Sequence, residues 1–300
     1  MKPAALILGY QRYDGIIRVL ETLAVAGVQK VYLSLDGPKS RDDAAIQEQI
    51  LTGAKKLANE SRMEFYVSLQ EENLGLRAAV VAGIDWFFQQ EKSGYILEDD
   101  LDIDLSFFEF CMKFSEVLKS HQEILLISGN QFFEINDKRF ALKLNYPLIW
   151  GWFTTADKWK TIRSLIFFGE GKPKTHVPPH VKYFWKMGRW RAINGQINSW
   201  AIPVAANFRL QGYFSIVPPI NLVSNLGNDK FASNTTSNQL EMNSPIYPKE
   251  SMQVIKKLDQ TLQIQSPDLL EKVVYRIRFK HVALGIKLLA LKVLNLITKS

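Results

Sequence analysis

Short apolar runs alternate with stretches of helical periodicity through the first 130 residues. The strand-like runs cover residues 6–8, 31–35, 65–69, 95–97 and 124–128, and helix-like stretches cover 15–23, 42–58, 76–90 and 105–120. Strands and helices in alternation predict an α/β fold, a mainly parallel sheet with helices on both faces. In such sheets ligands bind at the carboxyl ends of the strands.

The pattern changes in the second half of the chain. Residues 140–220 are rich in Trp, Gly and Pro, which predicts an elaborated half with long loops, and the Asn- and Ser-rich span 221–247 predicts a further loop. Residues 267–300 are typical of a helix. The stretch 282–297 within them is too short and too charged for a membrane span.

Three adjacent acids follow the fourth predicted strand. Glu98, Asp99 and Asp100 come directly after an apolar run, where like charges repel and lose hydration at a cost. A divalent cation such as Mg²⁺ or Mn²⁺ removes that cost, because it prefers hard oxygen ligands. The alternative is a solvated acidic loop. Asp36 follows the second strand, so we expect it on the same edge of the sheet as the three acids.

Charge and cysteine content narrow the possible functions. The net charge is +7, but residues 271–300 carry seven basic residues and one acidic residue, so the rest of the chain is close to neutral at +1. This distribution argues against a nucleic-acid-binding surface over the whole fold. A single cysteine, Cys111 in an apolar stretch, excludes an internal disulfide and a cysteine-based zinc site.

The basic C-terminal segment suggests a place for the protein in the cell. Lys272, Arg276, Lys280 and Lys287 share one helical face, so we expect an amphipathic helix that binds anionic lipid. The alternative is a terminal helix packed on the body with solvated lysines. The first residues run straight into a strand and do not resemble a secretory signal. We therefore expect a cytoplasmic protein, peripheral on the inner face of the cytoplasmic membrane.

An ordered set of short motifs resembles the GT-A glycosyltransferases. The motifs are Tyr10-Gln11-Arg12, Leu35-Asp36-Gly37-Pro38-Lys39, Asn73-Leu74-Gly75-Leu76, Ile96-Leu97-Glu98-Asp99-Asp100-Leu101, Ser106-Phe107-Phe108, Ile127-Ser128-Gly129-Asn130, Trp150-Gly151-Trp152 and Pro219-Ile220-Asn221-Leu222-Val223-Ser224-Asn225-Leu226-Gly227. Their order and spacing, over roughly residues 4–230, are similar to the N-acetylglucosaminyltransferases of N-glycan synthesis and their bacterial relatives in surface-polysaccharide clusters. The resemblance implies a GT-A (Rossmann-like) sheet.

The resemblance also implies roles for individual residues. Arg12 and Asp36 would hold the nucleotide, Asp99 would face the ribose or donor sugar, and Asp100 would bind Mn²⁺ or Mg²⁺ on the diphosphate. The further donor-binding positions are Tyr10, Asn73, Arg77 and Glu98, and the acceptor-binding positions are Trp150, Gly151 and Trp152. Several of these positions have a simpler alternative: Asp36 as a turn residue, Arg12 as a surface cation, Asn73 as a residue that only shapes the turn into the next helix, and the two tryptophans as core.

Two positions depart from the family pattern. Relatives carry an Asp near the Ser-Trp pair, where this chain has Asn198 and Ala201, and an amide cannot take a proton from an acceptor hydroxyl. Relatives also often carry a His where this chain has Asn234. The alternatives for the catalytic base are Asp157, which is equally typical of the first turn of a helix, and the loop histidines His176 and His180.

The sequence thus predicts a metal-dependent glycosyltransferase. It would transfer a sugar from a nucleotide-diphosphate sugar, with uridine favoured, to a glycan or lipid-linked acceptor in surface polysaccharide synthesis, with inversion. We expect residues 1–130 to form the nucleotide-sugar-binding half, residues 131–262 the acceptor-binding half of the same domain, and residues 263–300 the membrane-associating helix. Two alternatives stay open: a nucleotidyltransferase, for which the loop after the first strand is a poor match, and a catalytically degenerate nucleotide- or glycan-binding protein.

Overall fold

The computed structural model describes residues 2–168, 176–227, 246 and 248–277. The strands are β1 (Ala4–Gly9), β2 (Lys30–Leu35), β3 (Glu64–Leu69), β4 (Ser93–Glu98), β5 (Leu101–Ile103), β6 (Ile124–Ser128), β7 (Phe140–Leu144), β8 (Trp152–Thr155), β9 (Phe214–Val217), β10 (Val223–Asn225) and β11 (Asp259–Gln265). The helices are α1 (Tyr13–Val25), α2 (Arg41–Glu60), α3 (Leu76–Gln90), α4 (Ser106–Ser120), α5 (Ala156–Phe167), α6 (Pro179–Ile193), α7 (Ala201–Gln211) and α8 (Pro248–Lys257).

Nine of these strands form one mixed sheet in the order β11-β7-β9-β6-β8-β4-β1-β2-β3. Among the described strands, β4, β1, β2 and β3 run parallel, as do the pairs β6/β9 and β7/β11. β8 lies antiparallel between β4 and β6, and β7 lies antiparallel to β9. The predicted α/β fold with a mostly parallel sheet is confirmed.

Apolar side chains on the two faces of the sheet form separate hydrophobic layers. Ala5 and Ile7 of β1 face α1, α2, α4 and α8, whereas Leu6 and Leu8 face α3, α5 and α7. This alternation follows from the two-residue repeat of a strand, with apolar residues needed on both faces because helices cover both. Cys111 of α4 is fully buried in the first layer, as predicted.

The first-half elements lie where the apolar pattern predicted them, with ends shifted by a few residues. Ser40 caps α2, since its side chain accepts a hydrogen bond from the Asp43 N–H. Gly75 precedes α3 with φ of +76°, a conformation that glycine adopts without strain. The short strand β5 was not predicted. It pairs antiparallel with β10 and forms a two-stranded ribbon just after the acidic residues.

The prediction of long loops over residues 140–220 is wrong. This span holds β7, β8 and β9 of the main sheet and helices α5, α6 and α7. The aromatic residues that suggested irregular structure fill its core, since Trp152, Trp159 and Trp200 pack together beneath α5 and α7. The predicted loop over residues 221–247 contains β10, and residues 228–245 and 247 lie outside the described residues.

The C-terminal segment starts within the sheet. β11 pairs parallel with β7 up to Gln265, so the sheet continues past the predicted boundary after residue 262. A π-helical turn, Leu270–Val274, follows, and its Glu271 forms a buried ion pair with Arg209 of α7. Most of the predicted basic helix, residues 278–300, lies outside the described residues. Among the described helices, none has the length and apolar character needed to cross a membrane.

Candidate functional site

The acidic cluster lies at the carboxyl end of β4, in the middle of the main sheet. We use this name for Glu98, Asp99 and Asp100. Glu98 ends β4 opposite Leu8 of β1, and Asp99 and Asp100 form the turn into β5. Only 10% of the Asp99 side chain and 12% of the Asp100 side chain are exposed. The alternative of a solvated acidic loop therefore does not describe these residues.

Arg12, in the loop after β1, bridges the two aspartates. Its Nη1 lies 2.9 Å from Asp99 Oδ1 and 3.1 Å from Asp100 Oδ2. The backbone N–H of Tyr10 donates to Asp99 Oδ2 at 3.2 Å. The Arg12 side chain is 16% exposed, so it is not the surface cation of the simpler alternative. The parallel pairing of β1 with β4 explains the contact, because it brings the carboxyl ends of both strands to one edge.

The β5–β10 ribbon supplies a further partner to Asp100. Asn225 Nδ2 donates to Asp100 Oδ1 at 3.0 Å, and the Leu226 N–H donates to the Asp100 carbonyl at 2.7 Å. A Cβ added to Gly227 would lie 2.2 Å from Asp100 Oδ2, so only glycine allows this approach of the backbone. Asn225 and Gly227 belong to the Asn-Leu-Gly motif, but nothing in the sequence indicated that this motif contacts Asp100.

The acidic cluster holds more negative charge than its surroundings compensate. Burial and the neighbouring carboxylates raise the pKa of Glu98 to about 8 and the pKa of Asp99 to about 6, although Arg12 opposes both shifts. Burial also raises the pKa of Asp100, against the lowering effect of Arg12 and Asn225. If all three carboxyl groups were ionised, they would carry two negative charges more than Arg12 compensates, and the raised pKa keeps Glu98 mainly protonated at neutral pH. A divalent cation would favour the ionised form of the cluster.

The donor set fits a metal ion that is shared with a substrate. Within the described residues, no group of three or more His, Cys, Asp or Glu side chains is arranged to hold a metal by itself. Mg²⁺ usually takes one or two protein carboxylates and completes its coordination with water and substrate phosphates. Asp99 and Asp100 offer carboxylate oxygens of this kind, although Arg12 and Asn225 already contact them.

Asp36, at the carboxyl end of β2, ties that strand to the loop before α3. Its Oδ1 accepts from the N–H groups of Gly37 and Leu74, and its Oδ2 accepts from Asn73 Nδ2 and the Gly75 N–H, all at 2.8–3.0 Å. The structure thus joins Asp36 and Asn73, two predicted nucleotide ligands. These four hydrogen bonds show that Asp36 shapes the loop before α3. A uracil N–H that bound Asp36 would have to share an oxygen that already accepts two hydrogen bonds.

Tyr10 links the loop after β1 to the start of α2 through hydrogen bonds of its hydroxyl. Its hydroxyl donates to Asp43 Oδ2 at 2.6 Å and accepts from the Lys39 N–H at 3.2 Å. Burial and the hydrogen bond to Asp43 raise the pKa of Tyr10 to about 12, so the phenol stays protonated at neutral pH. Gln47 of α2 donates to the carbonyls of Tyr10 and Asp36 and links the loops after β1 and β2. Sequence reasoning missed Gln47.

Arg77 and Asn198 lie at the amino end of α3. Arg77 Nη1 donates to the carbonyl of Ala192 in α6 at 2.7 Å, so this predicted donor-binding residue joins two helices. Asn198 lies beside Gly75. A Cβ added to Gly75 would be 3.6 Å from Asn198 Nδ2. The position of the expected base is therefore close to the loop that Asp36 holds, but it carries an amide.

The Trp150-Gly151-Trp152 motif lies at the same edge of the sheet as the acidic cluster, where β4 ends. β8 is antiparallel to β4 with Trp152 opposite Ile96, so the residues before Trp152 lie toward Glu98. Trp152 itself is 1% exposed and packs against Trp159 and Trp200, so it belongs to the core and cannot form a wall for an acceptor. Half-buried Trp150 stays a candidate for that wall. Gly151 has φ of +60°, and its carbonyl accepts from the Gly129 N–H.

Asp157 lies at the wrong edge of the sheet for a catalytic base at the acidic cluster. β8 runs away from the cluster, and Thr155 at its end pairs with Ser93 at the start of β4. Six residues of strand, about 20 Å, therefore separate Asp157 from the cluster. Its side chain is 88% exposed and pairs with Lys160, as the alternative of a first-turn helix acid predicts. His176 lies near Phe214, which begins β9 and also lies at the far edge, and Asn234 lies outside the described residues.

Comparison with known proteins leaves the family open. No protein-family model and no curated protein sequence matches the chain. Similar solved structures include a UDP-glucose pyrophosphorylase in complex with UDP-glucose, with 9% identity, a TM-score of 0.40, and coverage of 74% of this chain and 91% of that one. A mannose-1-phosphate geranyltransferase from Thermus thermophilus has 10% identity, a TM-score of 0.38, and coverage of 73% of this chain and 74% of that one.

A third similar structure is the inositol-1-phosphate CTP transferase from T. maritima, with 13% identity, a TM-score of 0.37, and coverage of 87% of this chain and 98% of that one. None of these three structures is a glycosyltransferase by name. At TM-scores below 0.5 the likeness carries no argument about activity. The α/β fold rests on the strands and helices themselves.

Proposed function

We propose that this chain is a metal-dependent glycosyltransferase that uses a nucleotide-diphosphate sugar, with uridine as the favoured base. The observation that supports the proposal is the buried acidic cluster. Three carboxyl groups, of which Arg12 pairs with two, are held at the carboxyl end of the central strand β4, next to the loops after β1 and β2, and burial with like charges raises the pKa of Glu98 and Asp99 there. A site of this kind is suited to bind a divalent cation together with an anionic substrate.

Each part of the site has a role in this proposal. Asp100, with Asp99, would hold Mn²⁺ or Mg²⁺. The metal ion would neutralise negative charge on the departing nucleoside diphosphate. Arg12 holds both carboxylates in place by charge-assisted hydrogen bonds. Asp36 shapes the Asn73–Gly75 loop as one wall of the donor pocket, and Trp150 offers an aromatic surface to the acceptor.

The acceptor, the location and the stereochemistry belong to the same proposal. We assign a glycan or lipid-linked acceptor of surface polysaccharide synthesis, single displacement with inversion, and attachment to the inner face of the cytoplasmic membrane through residues 267–300. The membrane attachment is inferred from the basic character of residues 271–300 beside a nearly neutral body.

Two other functions remain candidates. The nucleotidyltransferase alternative shares the sheet and the metal, and a UDP-glucose pyrophosphorylase and an inositol-1-phosphate CTP transferase, both among the similar structures, have names closer to it than to glycosyl transfer. The degenerate binding protein is suggested by Asn198, whose amide cannot act as the base. The three candidates differ in the product that is released.

Calorimetry tests the shared part of the proposal. The chain is titrated with nucleoside diphosphates and nucleotide sugars, with Mn²⁺ and with EDTA. We expect Mn²⁺-dependent binding that falls at least about tenfold in Asp100→Ala, because a metal ligand is lost. Asp157→Ala is the matched control and should bind as the unmodified chain does. Binding that is absent, or independent of metal, would refute a metal–diphosphate site.

Product analysis then separates the candidates. Release of the nucleoside diphosphate from a nucleotide sugar supports the glycosyltransferase. Release of pyrophosphate from a nucleoside triphosphate and a sugar phosphate supports the nucleotidyltransferase. Metal-dependent binding without either product supports the degenerate binding protein.

A further inference from the structure

The outward face of α6 carries an exposed apolar stripe between basic residues. α6 packs on the body through Val181, Trp185 and Ala192, all of which are buried. At 100° per residue the opposite face presents Tyr183, Met187 and Trp190 at i, i+4 and i+7, and Ile193 lies at the end of the same stripe. The stripe and its flanks, here called the α6 surface, consist of Tyr183, Met187, Trp190, Ile193, Lys182, Lys186 and Arg191.

Three large apolar side chains on this surface are exposed and lie close together on one helix. Trp190 is 49% exposed, Ile193 40% and Met187 38%. All seven tryptophans of the chain lie in described segments, and Trp190 is the only exposed one. An exposed aromatic and aliphatic stripe of this kind marks a surface that binds something.

The segment of the chain that contains α6 carries charge of one sign. Residues 176–227 contain five basic residues and no Asp or Glu, and four of the five basic residues lie in α6. A protein partner would usually meet a surface of mixed charge, whereas an anionic bilayer offers headgroups to the cations and hydrocarbon to the stripe. Tryptophan and the long stems of lysine and arginine suit that boundary because each has an apolar body and a polar end.

The C-terminal end of α6 contacts the amino end of α3, near the candidate site. The carbonyl of Ala192, between Trp190 and Ile193 in the last turns of α6, accepts the hydrogen bond from Arg77 in the first turn of α3. Asn198, shortly after α6, stands beside Gly75 of the loop that Asp36 holds. A membrane under α6 would therefore lie near the end of α3 that follows the loop held by Asp36.

We propose that the α6 surface docks the protein on an anionic lipid bilayer, with Trp190 and Met187 in the interface and Lys182, Lys186 and Arg191 among the headgroups. This docking is separate from any contribution of residues 278–300. Delivery of a lipid-linked acceptor to the nearby candidate site rests on the proposed function, but the binding to lipid does not.

Vesicle flotation of the full-length chain tests the proposal. The vesicles contain phosphatidylcholine alone or with about 30% phosphatidylglycerol, which gives the anionic surface that attracts basic residues. We expect binding only to the anionic vesicles, reduced at least about tenfold by Met187→Ser with Trp190→Ser, and on the order of a hundredfold when Lys182, Lys186 and Arg191 are all changed to Gln, at about fivefold per basic residue. Unchanged binding in both variants would overturn the proposal.

Two control variants keep the test specific. Tyr66→Ser removes an exposed aromatic side chain from β3, and Lys55→Gln with Lys56→Gln removes two exposed cations from α2, so neither should alter flotation. A third variant, Lys280→Gln with Lys287→Gln and Lys292→Gln, neutralises part of the C-terminal segment. If it abolishes flotation while the α6 variants do not, the C-terminal segment binds the membrane and the α6 surface does not.

Fluorescence quenching locates the contact independently of affinity. Anionic vesicles with brominated acyl chains should quench the protein, and Trp190→Phe should lose most of the quenching while it still floats, because the other six tryptophans are at least partly buried. Equal quenching in Trp190→Phe would refute insertion of this side chain. Light scattering that shows a dimer, disrupted by Trp190→Ser, without vesicle binding would assign the α6 surface to a second copy of the chain.

Discussion

At the scale of single residues, two half-buried carboxylates at the carboxyl ends of strands perform different tasks in this chain. Asp36 accepts four hydrogen bonds from its own neighbourhood, whereas Glu98 has no hydrogen-bond or ion-pair partner among the described residues. The hydrogen bonds of Asp36 fix the loop before α3, whereas burial with like charges destabilises the charge of Glu98. The two acids should therefore respond differently to removal of their charge.

Asp36→Asn should destabilise the protein by about 1–3 kcal/mol. An amide NH₂ group would replace one carboxylate oxygen and face N–H donors, which leaves buried hydrogen bonds unmade. Urea unfolding measures the change. Asp42→Asn, an exposed acid in the first turn of α2, is the control and should cost less than about 1 kcal/mol. A loss of ligand binding with no loss of stability would show that Asp36 serves the ligand and not the loop.

Glu98→Gln should stabilise the metal-free protein, and more so as pH rises toward 8. The folded-state pKa of Glu98 is raised to about 8, so the folded state binds a proton that the unfolded state has released above its ordinary pKa of 4.5. Stability therefore falls as pH increases across this window, and glutamine removes the effect. Melting temperatures in EDTA from about pH 5 to about pH 8.5 test this, and parallel curves for the two proteins would contradict it.

At the scale of elements, the acidic cluster depends on how closely α1 approaches the turn after β4. A Cβ added to Gly15, in the first turn of α1, would lie 1.8 Å from the Asp99 carbonyl oxygen. The helix thus packs against the backbone of the site itself. The positions of Arg12 and Tyr10, just before α1, depend on the same approach.

Gly15→Ala should cost about 1–3 kcal/mol and weaken Mn²⁺-dependent nucleotide binding, because the added methyl forces α1 away from Asp99. Gly188→Ala in α6 is the matched control. Its nearest neighbour would be Ile202 Cγ2 at 3.4 Å, so alanine should be neutral or stabilise the helix by up to about 1 kcal/mol. Equal stability and binding in the two variants would show that the α1 contact is dispensable.

The elements also show what the sequence pattern can predict. The first five predicted strands were found because each is an apolar run between helices with clear periodicity. β8 was missed because its four residues, two of them threonine, are too few to show a pattern. Its antiparallel position between β4 and β6 depends on tertiary packing, which periodicity does not reveal. The bonds from Asn73 to Asp36 and from Asn225 to Asp100 join distant segments, so periodicity could not reveal them.

At the scale of the whole molecule, a buried polar network fastens the C-terminal turn to the body. Glu271 accepts from Arg209 of α7 and from the Tyr146 hydroxyl, which in turn accepts from Trp185 of α6. The side chains of Arg209 and Glu271 are 7% and 6% exposed. Removal of one partner leaves the other charged and buried, which is costly.

Glu271→Gln should therefore destabilise the protein by about 3–5 kcal/mol, measured by chemical unfolding. Asp157→Asn, which breaks the exposed pair with Lys160, should cost less than about 1 kcal/mol. Arg209→Met combined with Glu271→Met should recover part of the loss, since no lone buried charge remains. A small effect of Glu271→Gln would mean that water reaches the ion pair.

The β5–β10 ribbon sets an order of events during synthesis on the ribosome. Asp100 leaves the ribosome roughly 125 residues before Asn225, a delay of about 6–25 s at about 5–20 residues per second. During that interval β5 lacks its strand partner, and Asp100 lacks one of the donors that favour its charged form. The candidate site is therefore completed late in translation, and a ribosome-stalled chain that ends before residue 223 would contain the acidic cluster without its final support.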